Sequence, residues 1–201
     1  VTDNFALLGE PRRPWLDPER LKQKFLALSR EAHPDRNPGT GAAAEAGNGE
    51  RFAGINAAYN CLRDPRHRLR HLLQLETGSS SREAQSIPSE LMDVSLAVGA
   101  LCREADRFLD EKTAQTSALM RAQMFESGQE LTDRVMEVQK QIADGRDQLL
   151  GEIQNLDAAW NDAAARPGSQ IMRRLQEIES ALGFAERWIS QLRERVVRLA
   201  L

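Results

Sequence analysis

Residues 17–35 read Asp17-Pro18-Glu19-Arg20-Leu21-Lys22-Gln23-Lys24-Phe25-Leu26-Ala27-Leu28-Ser29-Arg30-Glu31-Ala32-His33-Pro34-Asp35. Asp17 is a good N-cap, and Pro18 suits the first helical position, where a missing N–H costs nothing. Leu21, Phe25, Leu28 and Ala32 follow at helical spacing and make one apolar face. Pro34 stops the helix, because it lacks a donor and disfavours helix in the residue before it. On the opposite side, Lys22, Leu26 and Arg30 fall at i, i+4 and i+8. A solvated stripe explains the two cations but not the leucine between them. An apolar contact flanked by cations suits a surface that docks an acidic partner.

Outward from this helix, Asn37 to Asn48 is rich in Gly and Ala with Pro38 inside it, which predicts a mobile loop. Phe52, Ile55, Tyr59 and Leu62 then repeat the apolar pattern up to Asp64-Pro65, and a shorter helix runs through Leu69, Leu72 and Leu73 to Gly78. Phe5, Leu7 and Leu8 form a short apolar entry segment. The expectation is an antiparallel helix pair with short flanking helices around one modest core.

The polar stretch after Gly78 divides the chain into a first domain over 1–78, a linker over 79–86 and a second domain over 87–201. In the second domain Leu91, Val94, Val98, Leu101, Ala105 and Phe108 recur at alternating steps of three and four. Ser127-Gly128-Gln129-Glu130 has the form of a capping box and predicts a helix start there. Leu131, Val135, Val138 and Ile142 follow it, Pro167-Gly168 breaks the chain, and Ile171 to Leu199 resume the alternation. Such seams imply long helices packed side by side, an elongated three-helix bundle with Trp160 and Trp188 inside it. The fold class is all-α.

Composition agrees: of 201 residues, 41% are apolar, 28% charged and only 5% aromatic, which favours helices over strands. No run approaches the roughly 18 apolar residues of a membrane span, and no apolar leader opens the sequence. Cys61 and Cys102 cannot make a disulfide framework, so a reducing cytoplasm is the expected setting. The net charge of −3 gives no reason to expect nucleic acid or a membrane surface as partner. It is unevenly spread: residues 1–78 hold 12 Lys and Arg against 10 Asp and Glu, a net of +2, and the remainder carries −5. That asymmetry hints at two units with different partners. There is no phosphate-cradling Gly-rich loop and no Ser or Cys with an evident base nearby, so neither an enzyme nor a cofactor is expected. His67 and His71 stand at i, i+4, but two imidazoles are a sparse ligand set and no metal is expected.

The order of parts is specific. A helix ending in His33-Pro34-Asp35 is followed by a loop and a second helix carrying Asn56-Ala57-Ala58-Tyr59-Asn60-Cys61-Leu62-Arg63-Asp64-Pro65. Residues 3–78 resemble a J domain, with His71 standing where that family usually has Tyr. The resemblance implies docking on a DnaK-type chaperone and stimulation of its ATP hydrolysis. His33, Pro34 and Asp35 would be the critical contacts, supported by Lys22, Lys24, Leu26 and Arg30 on the preceding helix and by Arg36. The layout of the whole chain resembles the HscB family, the J-type co-chaperones of iron–sulfur cluster assembly. That implies a DnaK/HscA-type ATPase as one partner and an IscU-like scaffold as client. The client would sit on the first helix of the second domain, at Leu91, Met92, Leu96, Gly99 and Arg103. Leu91 also belongs to the core seam, whereas Met92, Leu96, Gly99 and Arg103 fall at i, i+4, i+7 and i+11 on another face. Leu91 and Met92 match the family's Leu-Met, but Leu96, Gly99 and Arg103 replace its acidic positions. Two further readings therefore stay open: a J-domain adaptor for a different client, and a structural helical bundle with a degenerate J domain.

Overall fold

The computed structural model describes residues 2–32, 42–78, 87–160 and 169–200, except for the side chains of 42–48, 118 and 121. His33, Pro34, Asp35 and Arg36 lie outside the described residues, as does the stretch 79–86. Among the described residues seven α-helices run in order: α1 Asn4–Leu7, α2 Pro18–Glu31, α3 Ala42–Arg63, α4 Pro65–Thr77, α5 Met92–Ala114, α6 Ala118–Ala158 and α7 Gln170–Ala200. A 3-10 turn, Ser89–Leu91, leads into α5. No strand occurs among the described residues, and the fold is all-α.

Helix ends follow the local chemistry. The Asp17 carboxylate accepts from the backbone N–H of Arg20 at 2.7 Å, and the Asp64 carboxylate from that of His67 at 2.8 Å. Each caps the free donors of a first turn that opens with proline. At the far end of α4, Gly78 takes φ 67° and its N–H donates to the Gln74 carbonyl at 3.0 Å.

Two helices begin earlier than expected. The expected loop over 37–48 is helical from Ala42 onward, because the run Ala42-Ala43-Ala44-Glu45-Ala46 is among the strongest helix-forming compositions. α6 likewise begins at Ala118, not at the expected cap of Ser127. The intervening Leu, Met, Ala and Gln residues all favour helix, so the capping-box pattern lies in mid-helix. Gly128 there has a packing use. A Cβ on it would stand 3.1 Å from Phe108 Cζ, so a larger residue would require that ring to shift by a few tenths of an ångström.

Packing divides the chain into two compact units, Val1–Ser81 with Leu150–Glu179, and Arg82–Leu149 with Ser180–Leu201. In the first, α3 packs on α1, α2 and α4. Phe5, Leu8, Leu21, Ile55, Leu62 and Leu72 form its buried centre, and Phe25 and Tyr59 stack on one another with ring centroids 4.1 Å apart. Each fully buried Leu or Phe contributes about 1.5–3 kcal/mol. Trp160 belongs to this core, and not to the three-helix core expected for it. Its indole N–H donates to the Arg12 carbonyl at 2.9 Å, so a long-range partner overrides the helical pattern. The second unit buries Val98, Leu101 and Ala105 of α5 with Leu131, Val135 and Ile142 of α6 and Trp188 and Leu192 of α7.

His71 is a structural part of the first core. The N–H of Asn4, left free at the start of α1, donates to His71 Nε2 at 3.0 Å, and the imidazole stacks on Phe5 with ring centroids 5.7 Å apart. Burial pushes its pKa below the ordinary value, so the neutral ring that can accept this bond is favoured. Because the folded value is depressed, the unfolded chain binds the proton first. The stabilisation is intact above the unfolded value of about 6.5 and is lost as pH falls through the folded value. Urea titrations at pH 7.5 and 5.5 should therefore show a larger loss of stability in the parent than in His71→Gln, which keeps an acceptor that does not titrate.

Candidate functional site

The outer face of α2 is set by the burial of its other side. Leu21 is fully buried and Phe25 and Leu28 pack on the core, which leaves Lys22, Leu26 and Arg30 exposed in a row, Leu26 at 43%. Lys24 points elsewhere. Its ammonium lies 2.8 Å from the Glu10 carboxylate and donates to the Gly9 carbonyl at 2.6 Å. The Glu10 side chain is buried, with Arg20 3.7 Å away as a second cation, so Lys24 holds the turn in which Gly9 takes φ 61°. The outer row of Lys22, Leu26 and Arg30 runs along the helix that leads directly into His33-Pro34-Asp35.

The same unit also buries several ions that the sequence did not single out for this role. Arg68 donates to the Pro14 carbonyl at 2.8 Å and to the Leu62 carbonyl at 2.7 Å, and burial lowers its pKa to about 10. The buried Asp157 carboxylate accepts from Arg13 Nε at 2.9 Å, from a second Arg13 nitrogen and from the Trp15 N–H at 3.1 Å. Glu179 accepts from Arg70 Nε at 3.0 Å, has Arg70 Nη2 2.9 Å away as an ion pair and stands 3.3 Å from Arg66. A local pattern cannot show such pairs, since Arg13 and Asp157 are 144 residues apart.

The α5 face lies in the second unit. Met92 is 44% and Leu96 64% exposed, and Arg103 is exposed as well. Gly99 is half-buried, with Arg103 Nη1 only 3.4 Å from where a Cβ would stand. Leu91 is half-buried and packs on the core. The structure thus brings Met92, Leu96, Gly99 and Arg103 to one side of α5 and turns Leu91 inward. Among the described residues no group of His, Cys, Asp and Glu could hold a metal ion. Nor is any helix among them long and apolar enough to cross a membrane.

Comparison with known proteins matches these features. Residues 4–71 match the DnaJ domain family. A 72-residue segment is 40% identical to proteins named co-chaperone protein HscB homolog in Bordetella pertussis and Bordetella parapertussis, covering 36% of this chain and 42% of those relatives. The fold is similar to chaperone HscB from Vibrio cholerae at a TM-score of 0.52 and 20% identity, over 95% of this chain and 99% of that one. It is also similar to human co-chaperone protein HscB at 0.54 and 17%, over 98% and 81% of the two chains. The N-terminal helices, with the apolar face of α2 and the capped start of α4, thus form a J domain. Over the chain as a whole the fold is similar to that of the two HscB structures.

Asp157 gives a direct test of the buried ions. Asp157→Ala should lower stability by about 1–3 kcal/mol, moderated because Arg13 is partly exposed and regains water. Hydrogen exchange should show the Trp15 amide, which loses its acceptor, opening about tenfold faster, with the amides of α5 unchanged.

Proposed function

We propose that this chain is a co-chaperone. Its J domain docks on a DnaK/HscA-type ATPase and stimulates ATP hydrolysis there, while the outer face of α5 delivers a client protein, an IscU-like iron–sulfur scaffold. The observation that carries this reading is the outer row of α2, an exposed Leu26 between exposed Lys22 and Arg30 on a helix that runs into His33-Pro34-Asp35. An aspartate presented after a proline-fixed turn can pair bidentately with an arginine of the ATPase, and such charge-assisted bonds are strong and geometrically selective. The cations of the row steer the domain towards an acidic surface. Hydrolysis belongs to the partner, in keeping with the absence of a phosphate-binding loop in this sequence. Two free thiols, Cys61 and Cys102, support a reducing cytoplasm as the setting.

One observation favours a second reading of the client. Leu96, Gly99 and Arg103 make the α5 face apolar and basic where an HscB-type face is acidic. A scaffold that recognises acidic residues would lose its contacts here, and a client with an apolar or acidic surface would gain them.

His33→Gln should abolish stimulation of the ATPase with an unchanged circular dichroism spectrum, and Leu26→Asp should raise the concentration for half-maximal stimulation by about tenfold or more. Equal stimulation by His33→Gln and the parent would end the J-domain reading. Calorimetric titration with the IscU-like scaffold separates the clients. Binding that weakens about tenfold in Met92→Asp supports the scaffold, whereas no binding with stimulation intact assigns a different client.

A further inference from the structure

Helix α6 carries a second stripe that its own unit does not use. Leu131, Val135 and Ile142 face the core. Ala122, Phe125, Gln129, Thr132 and Met136 lie on another side, spaced at alternating steps of three and four, and none carries a charge. At 1.5 Å per residue the stripe is about 21 Å long. Phe125 is 73% exposed and Met136 45%. A solvated helix face carries charges, and those charges are present here, on the flank beside the stripe. Glu126, Glu130 and Asp133 are all exposed. Of the nearby cations, Arg134 is committed to α5, where it donates to Glu104 at 2.6 and 2.8 Å, and the exposed Lys140 stands one turn beyond Met136, past the end of the stripe.

We infer that this stripe is a docking site for a basic amphipathic helix of a partner protein, separate from the α5 face. A helix laid along four turns of uncharged residues would bury Phe125 and Met136 as its anchors. The flank chooses the occupant. A second copy of this chain would bring its own Glu126 and Asp133 against the same residues and be repelled, as would an anionic membrane. Lysine or arginine along one edge of the incoming helix meets the acidic flank and is attracted.

Two synthetic 18-residue amphipathic helices with identical apolar stripes, one flanked by Lys and one by Glu, test this by fluorescence anisotropy with the full chain. The Lys-flanked peptide should bind at least about tenfold more tightly than the Glu-flanked one and weaken as salt rises. Phe125→Asp, at a position exposed enough not to disturb folding, should weaken it about tenfold, and Leu96→Asp on α5 should leave it unchanged. The double variant Glu126→Lys, Asp133→Lys should reverse the preference between the peptides. Equal binding of both peptides, or a Phe125→Asp variant that binds like the parent, overturns the inference. So does sedimentation of the parent as a dimer that Phe125→Asp converts to monomer, because the stripe would then be the contact between copies.

Discussion

A charge taken out of water must be matched in place, and the first unit is built around that requirement. Arg68, Glu10, Asp157 and Glu179 are all buried. Isolated, each would cost several kcal/mol, so each fixes the position of whatever neutralises or solvates it. Arg68 has two carbonyl oxygens, from Pro14 and Leu62, in place of water, and this ties the segment before α2 to the end of α3. Glu10 draws Lys24 inward from α2. Asp157 holds Arg13 and the Trp15 backbone, and Glu179 holds Arg66 and Arg70 of α4. Apolar burial supplies most of the stability, but it is nearly indifferent to small slips of one helix on another. The buried ions are not, because their bonds fail within a fraction of an ångström.

That division explains what could be read from the sequence. α2 and α4 were legible because their signals are local: Asp17-Pro18 and Asp64-Pro65 open them, and Gly78 closes α4 with a positive φ. The α5 seam was legible because Val98, Leu101 and Ala105 repeat at helical spacing. The starts of α3 and α6 were misplaced for the opposite reason. Glycine near the first suggested a loop, and a capping pattern at Ser127 suggested an end, although alanine-rich and Leu/Met-rich neighbours sustain helix through both regions. The ion pairs were not legible, since a carboxylate at position 157 carries no mark of an arginine at position 13. Trp160 was assigned to the wrong core on the same account. Its helical position suggested the bundle, but its indole finds the Arg12 carbonyl.

The candidate faces were legible to the extent that a wheel separates core from surface. Leu26, Met92 and Leu96 fall off their seams in the sequence and are exposed in the structure. The wheel does not show what each neighbour is occupied with. Lys24 looks equivalent to Lys22 in sequence, yet one ammonium is bound to a buried carboxylate and the other is exposed. Spatial neighbours decide which cations remain available to a partner.

α2, α5 and α6 each present exposed apolar residues outside the core, and they differ in the charge beside them. Cations flank Leu26, one cation lies beyond Met92 and Leu96, and carboxylates flank Phe125. Apolar contact area of this size provides affinity without much discrimination, since one exposed leucine is chemically much like another. Discrimination comes from the flanks, where a like charge set against its counterpart is penalised and an opposite one steers the encounter. Three faces with three different borders therefore need not compete for one partner. Surfaces alike in adhesion and different in sign can each select its own occupant.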